Sequence, residues 1–141
     1  MFKEICTLIS GLTGFALDVK LQVGHLLQSA PERYVLVQET GGEANFYCPD
    51  MKDMLIQVLC HAETYFEARE DAYAVFEAIH GTSGWNLPGI GGNPDYLAMT
   101  VEALAVPQYL GVDDNRRHIF STNYIWRMEE GSCKEFVSGS P

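Results

Sequence analysis

Asp113 and Asp114 are the residues to test first for chemistry, because paired carboxylates are what general acid–base catalysis and glycoside hydrolysis use. Adjacent carboxylates in a turn diverge, however, and Arg116 and Arg117 stand close enough to neutralise them, whereas catalytic pairs must face each other. The pair reads better as a solvated turn or a charged contact for another subunit. Gly89-Ile-Gly91-Gly92 has the look of a phosphate cradle, but it lacks the Gly-Lys-Ser/Thr ending and runs into Asn93-Pro94 and a strand, not a helix N-terminus. Ser10, Ser83 and Ser121 sit in no G-x-S-x-G elbow, and His25, His61, His80 and His118 have no partner that spacing locates. His80 falls at the end of a helical pattern, where the helix dipole alone favours a histidine. No catalytic residue and no cofactor site is expected.

The cysteines, Cys6, Cys48, Cys60 and Cys133, form no C-x-x-C pair and follow no metal-site spacing. A zinc site can be drawn from Cys48, Cys60, His61 and His80. Cys60 and His61 are neighbours, though, and on a strand they point to opposite faces. Buried, reduced thiols and no metal are the expectation.

With 141 residues, 47% of them hydrophobic, the chain has enough material for one domain with its own core. Nine Lys and Arg against nineteen Asp and Glu leave a formal charge of −10, and no basic run exceeds Arg116–Arg117. Specific nucleic-acid binding, which needs basic surface to replace phosphate counterions, is excluded on that ground. The acidic surface gives solubility and would keep DNA from adhering. The apolar stretches Met54–Cys60 and Leu97–Val106 fall well short of the ~20 residues of a membrane span. The start, Met-Phe-Lys-Glu-Ile-Cys, lacks the pattern of a secretory signal, so a cytosolic chain is expected.

Phe2, Ile5, Leu8, Ile9 and Leu12 recur at helical spacing, with Gly11 and Gly14 at the end of that stripe. Val19–Val23 alternates as a short extended piece, and Tyr34–Glu39 predicts a strand that leaves sharply at Gly41–Gly42. Met54–Cys60 predicts a central strand buried on both faces. Thr64-x-x-Glu67 is a capping box opening a helix whose apolar face is Ala68, Ala72, Val75, Phe76 and Ile79, closed by Gly81. Gly81–Pro94 reads as a long loop carrying Trp85, a large aromatic suited either to anchor a partner or to fold back on its own domain. Tyr96–Leu110 and Arg116–Trp126 alternate as long strands joined by Gly111–Asn115. From Glu129 the composition turns polar, which predicts a flexible tail over 129–141 behind a single domain of residues 1–128. The sum is an α+β fold: a mostly antiparallel four- to five-stranded sheet, two helices on one face and a long C-terminal β-hairpin.

That hairpin carries a resemblance. Ala105-Val-Pro-Gln-Tyr-Leu-Gly111, then Asp113, Asn115-Arg and His118-x-Phe120-Ser-x-Asn123, resembles the closing hairpin of the phage minor capsid and tail-terminator (tail-completion) proteins. Tyr34–Gly42 resembles that family's strand ending in a glycine turn, and Ala68–Gly81 its single long helix, so the likeness runs from about residue 30 to 127. It implies a structural virion protein without catalytic residues. Such a subunit forms a typically hexameric ring on the head-proximal end of a tail tube, after assembly in the host cytoplasm. Its partners are itself, the tube protein and a head-completion or connector protein, with DNA passing through the lumen unbound and no membrane involved. Trp85, Asp113, Asp114, Arg116 and Arg117 are the candidate subunit or partner contacts. The rival readings are another phage connector (a head-completion or tube protein), a ligand-binding α+β domain, or a small enzyme using His118 or the acidic turn.

Overall fold

The computed structural model describes residues 2–24, 32–44 and 51–130. Helix α1 (Phe2–Thr13) is followed by β1 (Leu21–Val23), β2 (Tyr34–Ala44), β3 (Met51–Ala62), α2 (Tyr65–Ile79), β4 (Thr82–Leu87), β5 (Tyr96–Ala103), β6 (Gln108–Val112) and β7 (His118–Glu130). The α+β class holds, as do the two helices and the closing β6–β7 hairpin. The sheet has seven strands, however, in the order β1-β2-β3-β7-β5-β4, with β6 paired to β7 off that path. Every pairing is antiparallel except β1 with β2.

The extra strands come from segments whose side-chain pattern is interrupted. Thr82–Leu87, expected in a loop, pairs with β5 from Thr82↔Val101 to Leu87↔Tyr96, and Gly84 is what breaks its alternation. The expected single strand Tyr96–Leu110 is two. Ala103 pairs with Tyr124 and Gln108 with Ser121, so residues 104–107 stand opposite Thr122 and Asn123 alone and bulge outward. Pro107 cannot donate to the ladder at that break. β5 therefore flanks the C-terminal half of β7 and β6 the N-terminal half.

β2 does not stop at Gly41–Gly42 but continues to Ala44, through a register shift between Glu39 and Gly41. Gly42 adopts φ +145°, and a Cβ there would lie 1.9 Å from the Asp53 carbonyl oxygen. The glycine is what lets the two backbones meet.

β3 is central, but apart from His61 its full burial is along one face. Ile56, Val58, Cys60 and Ala62 join Phe120, Thr122, Tyr124, Trp126 and Met128 of β7 under the helices, while Leu55, Gln57 and Leu59 on the other face are half-buried. α2 begins where the capping box places it: Thr64 Oγ1 accepts from the Glu67 N–H at 3.2 Å. Ala68, Ala72, Val75 and Ile79 are its buried stripe, and Phe76 is half-buried beside it. From α1, Ile5, Cys6 and Ile9 enter the same core. β7 runs to Glu130, beyond the expected domain end at 128. Residues 131–141, with Cys133, lie outside the described residues, as do His25 and Cys48. Among the described residues no helix is long and apolar enough to cross a membrane.

Candidate functional site

The turn between β6 and β7 is held by one of its own acids. Asp113 Oδ1 accepts from the Asn115 N–H at 2.9 Å and the Arg117 N–H at 2.8 Å, and the Asp113 N–H donates to the Arg117 carbonyl at 2.9 Å. Arg117 folds inward over the Tyr34 ring, 5.7 Å from its centroid. Asp114 and Arg116 are exposed, Arg116 with φ +61°. The Asp113–Asp114 pair is thus divided, one carboxylate shaping the turn and its neighbour in solvent. That is not the facing geometry of an acid–base pair.

The three described histidines are also in structural use. His61 stacks on Tyr34 at 4.5 Å between centroids, and burial pulls its pKa down. It lies on the face of β3 opposite to Cys60, whose thiol burial pushes up and renders unreactive. His80 Nδ1 accepts the Ala103 N–H at 2.9 Å, so its place at the helix end reflects a hydrogen bond to β5 as well as the dipole. His118 Nδ1 and the Tyr109 hydroxyl are 2.8 Å apart. Cys6 is buried and free, its pKa pushed up to about 12 by burial.

What the hairpin does present is apolar surface. β6 has no charged residue and, among the described residues, pairs only with β7, leaving its other edge without a strand partner there. Tyr65, in the first turn of α2, meets its neighbour Phe66 and Tyr109 of β6 edge-to-face, with ring centroids 5.3 Å (Tyr65–Phe66) and 5.0 Å (Tyr65–Tyr109) apart. Phe66 is 78% exposed, and Leu110 and Val112 of β6 are more than half exposed. Leu104 and Val106 on the 104–107 bulge are similarly open. These residues were not legible as a surface, because strand alternation assigns side chains to faces without saying which face another element covers.

The far end of the sheet carries a hollow. α1 and residues 86–90 enclose an open apolar groove of about 340 Å³ lined by Leu8, Gly11, Leu12, Leu87, Pro88 and Ile90. Glu4 secures its rim: the carboxylate, 2% exposed, accepts from the Ile90 N–H at 2.9 Å and Asn93 Nδ2 at 3.1 Å. Burial pushes that carboxyl up, but hydrogen-bond donors outweigh it and bring the pKa down to about 2. The glycine loop that resembles a phosphate cradle therefore already serves an anion, the chain's own Glu4. Trp85 is on β4, half-buried against the core, and its Nε1 donates to Thr82 Oγ1 at 2.7 Å. The five candidate contacts are not brought together: Trp85 is on β4, and the other four share the β6–β7 turn.

The parts add up to a structural subunit, an α+β scaffold with an open strand edge and exposed apolar ends. A sequence profile described as bacteriophage tail terminator protein matches residues 9–130. The chain belongs to the bacteriophage tail terminator family and is a virion structural protein. Among solved structures it is similar to a chain of the "Virion of native gene transfer agent (GTA) particle", at 17% identity over 86% of this chain and 84% of that one, with a TM-score of 0.49. Comparison with curated proteins gives no match.

Proposed function

We propose that this chain closes into a ring, hexameric like the typical ring its family resemblance implies, on the head-proximal end of a tail tube. There it ends tube growth and offers a surface to the head-completion or connector protein at the head–tail junction. The observation that carries this reading, beside family membership, is the β6 edge: uncharged, unpaired on one side among the described residues, with Leu110 and Val112 exposed. An edge of that kind on a free monomer is a template for uncontrolled pairing, and a neighbour in a closed ring covers it in fixed stoichiometry. Six copies would carry 6 × −10 = −60, and any part of that charge facing the lumen repels DNA in transit.

Negative-stain microscopy and native mass spectrometry of the purified chain, alone and with its tube protein, test the reading. Closed rings of uniform subunit number, free or at tube ends, are the expected result. Open tubes would assign the chain to the tube instead. A monomer or dimer that ignores tubes would overturn the ring and favour a ligand-binding domain.

A further inference from the structure

We infer that the apolar groove between α1 and residues 86–90 is a docking site for this chain's own C-terminal segment, with Phe136 and Val137 as the side chains that fill it. Residues 131–141 lie outside the described residues, and their docking does not depend on the proposed ring.

The size of the groove selects a tethered occupant. At about 340 Å³ it takes one aromatic side chain and a smaller neighbour. A buried aromatic hides roughly 150–250 Å², far short of the ~1,200 Å² or more of a stable interface between separate chains. A separate partner would also give up its translational and rotational freedom for that small area. A segment of the same chain has lost most of that freedom already, and a short linker holds it at an effective concentration in the millimolar range.

Chain direction singles out which segment. β7 ends at Glu130, which pairs with Tyr96, and Tyr96 pairs with Leu87 of the groove wall. Glu130 is therefore two strand spacings from Leu87, about 10 Å. Phe136 follows 136 − 130 = 6 residues later, a reach of up to ~20 Å. The other stretches outside the described residues, 25–31 and 45–50, are tied at both ends to β1 and β2 or to β2 and β3. In the strand order those lie across β7 and β5 from β4.

The chemistry matches as well. Phe136 and Val137 are the only aromatic and the only branched aliphatic residue of 131–141, side by side among Gly, Ser, Lys and Glu. The groove they face is walled by Leu8, Leu12, Leu87, Pro88 and Ile90, with Leu12 and Ile90 each more than a third exposed. Its one charged lining residue, Glu4, accepts from the Ile90 N–H and Asn93 Nδ2. Lys134 and Glu135 cancel, so the segment brings no net charge against that carboxylate. Docked there, it keeps the open apolar wall of the subunit out of water.

Methyl NMR of the whole chain tests the docking. Phe136 ring protons should give NOEs to the Leu12 and Ile90 methyls. Phe136→Ser should abolish them and shift the Leu8, Leu12 and Ile90 methyl resonances as the ring current is lost. Gly11→Gln adds a side chain in the groove, at a position where a Cβ meets nothing within 4 Å, and should expel Phe136 while α1 stays folded. That second variant keeps the test decisive if Phe136→Ser misfolds. Resonances that do not move in Phe136→Ser, or Phe136 NOEs that survive in Gly11→Gln, overturn the docking. Labelled Phe136→Ser mixed with unlabelled wild type identifies the donor. Resonances that stay at their Phe136→Ser positions are expected, whereas a return to the wild-type positions means that a second copy's segment fills the groove, which overturns the assignment to the same chain.

Discussion

The Glu4 carboxylate holds the Ile90 N–H at 2.9 Å, tying the first turn of α1 to a loop 86 residues along the chain. Because the carboxyl, despite its burial, titrates at about 2 in the fold against an ordinary 4.5, its hydrogen-bond donors together, the Ile90 N–H among them, contribute stability that is fully present above pH 4.5 and is lost as pH falls toward 2. Glu4→Gln should cost about 2 kcal/mol at pH 7, as expected for hydrogen bonds to a charged acceptor. Melting curves of both proteins from pH 7 to pH 2 should converge at the acid end. A gap that stays constant with pH would mean the carboxylate charge is not what holds the loop.

Asp71 is the corresponding fastener on α2. Its side chain is 3% exposed and takes Arg33 Nε at 3.0 Å, Arg33 Nη2 at 2.9 Å and Lys20 Nζ at 3.1 Å. Lys20 immediately precedes β1 and Arg33 immediately precedes β2, so one carboxylate pins the helix to the beginnings of two strands. Asp71→Asn takes the buried counter-charge from Lys20 and Arg33, while Arg33 keeps Glu70 at 3.0 Å and Glu67 at 3.5 Å. The cost should be about 2 kcal/mol or more, below the ~3–5 of a fully buried pair because Lys20 and Arg33 stay partly exposed. Urea unfolding of the variant measures it directly, and a shift under about half a kcal/mol would show that the network adds little to stability.

Gly42 and Gly11 make an internal contrast. Gly42→Ala places a Cβ against the Asp53 carbonyl at φ +145°, so the β2–β3 ladder must shift, at roughly 2 kcal/mol or more. Gly11→Ala enters open space on a helix and should stabilise by about 0.5–1 kcal/mol. Opposite signs in thermal melts are the expectation, and equal signs would count against the register described for β2.

Much of this molecule was legible in its sequence where pattern and position agree. The capping box at Thr64 gave the start of α2, and the alternation through Arg116–Trp126 gave most of β7 as a strand. The misses share a cause. Gly84 in β4, Gly42 in β2 and Pro107 before β6 all carry turn chemistry, yet each is inside or beside a strand whose pairing comes from distant residues. Local punctuation cannot reveal a partner far along the chain. Glu4 was hidden for the same reason: a lone acid on an amphipathic helix gives no sign that a loop across the fold will donate to it. The hairpin motif was found, but its exposed edge was not, since exposure depends on what fails to pack there.

Trp85 and Arg116 are equal candidates for subunit contact by sequence, and their surroundings separate them. Trp85 is half-buried with its Nε1 bonded to Thr82, so Trp85→Ala removes monomer packing and should lower the melting temperature whatever it does to assembly. Arg116 is exposed, and Asp113 rather than Arg116 supplies the side-chain bonds that fix the turn. Reversing its charge with Arg116→Glu therefore leaves the fold intact, within about 0.5 kcal/mol of wild type. It also makes the turn more acidic. If that end meets an acidic neighbour, ring formation should weaken, and the loss should deepen at low salt, where repulsion is least screened. Sedimentation velocity of the variant across a salt series reads both effects, and assembly that matches wild type at every salt would remove Arg116 from the contact.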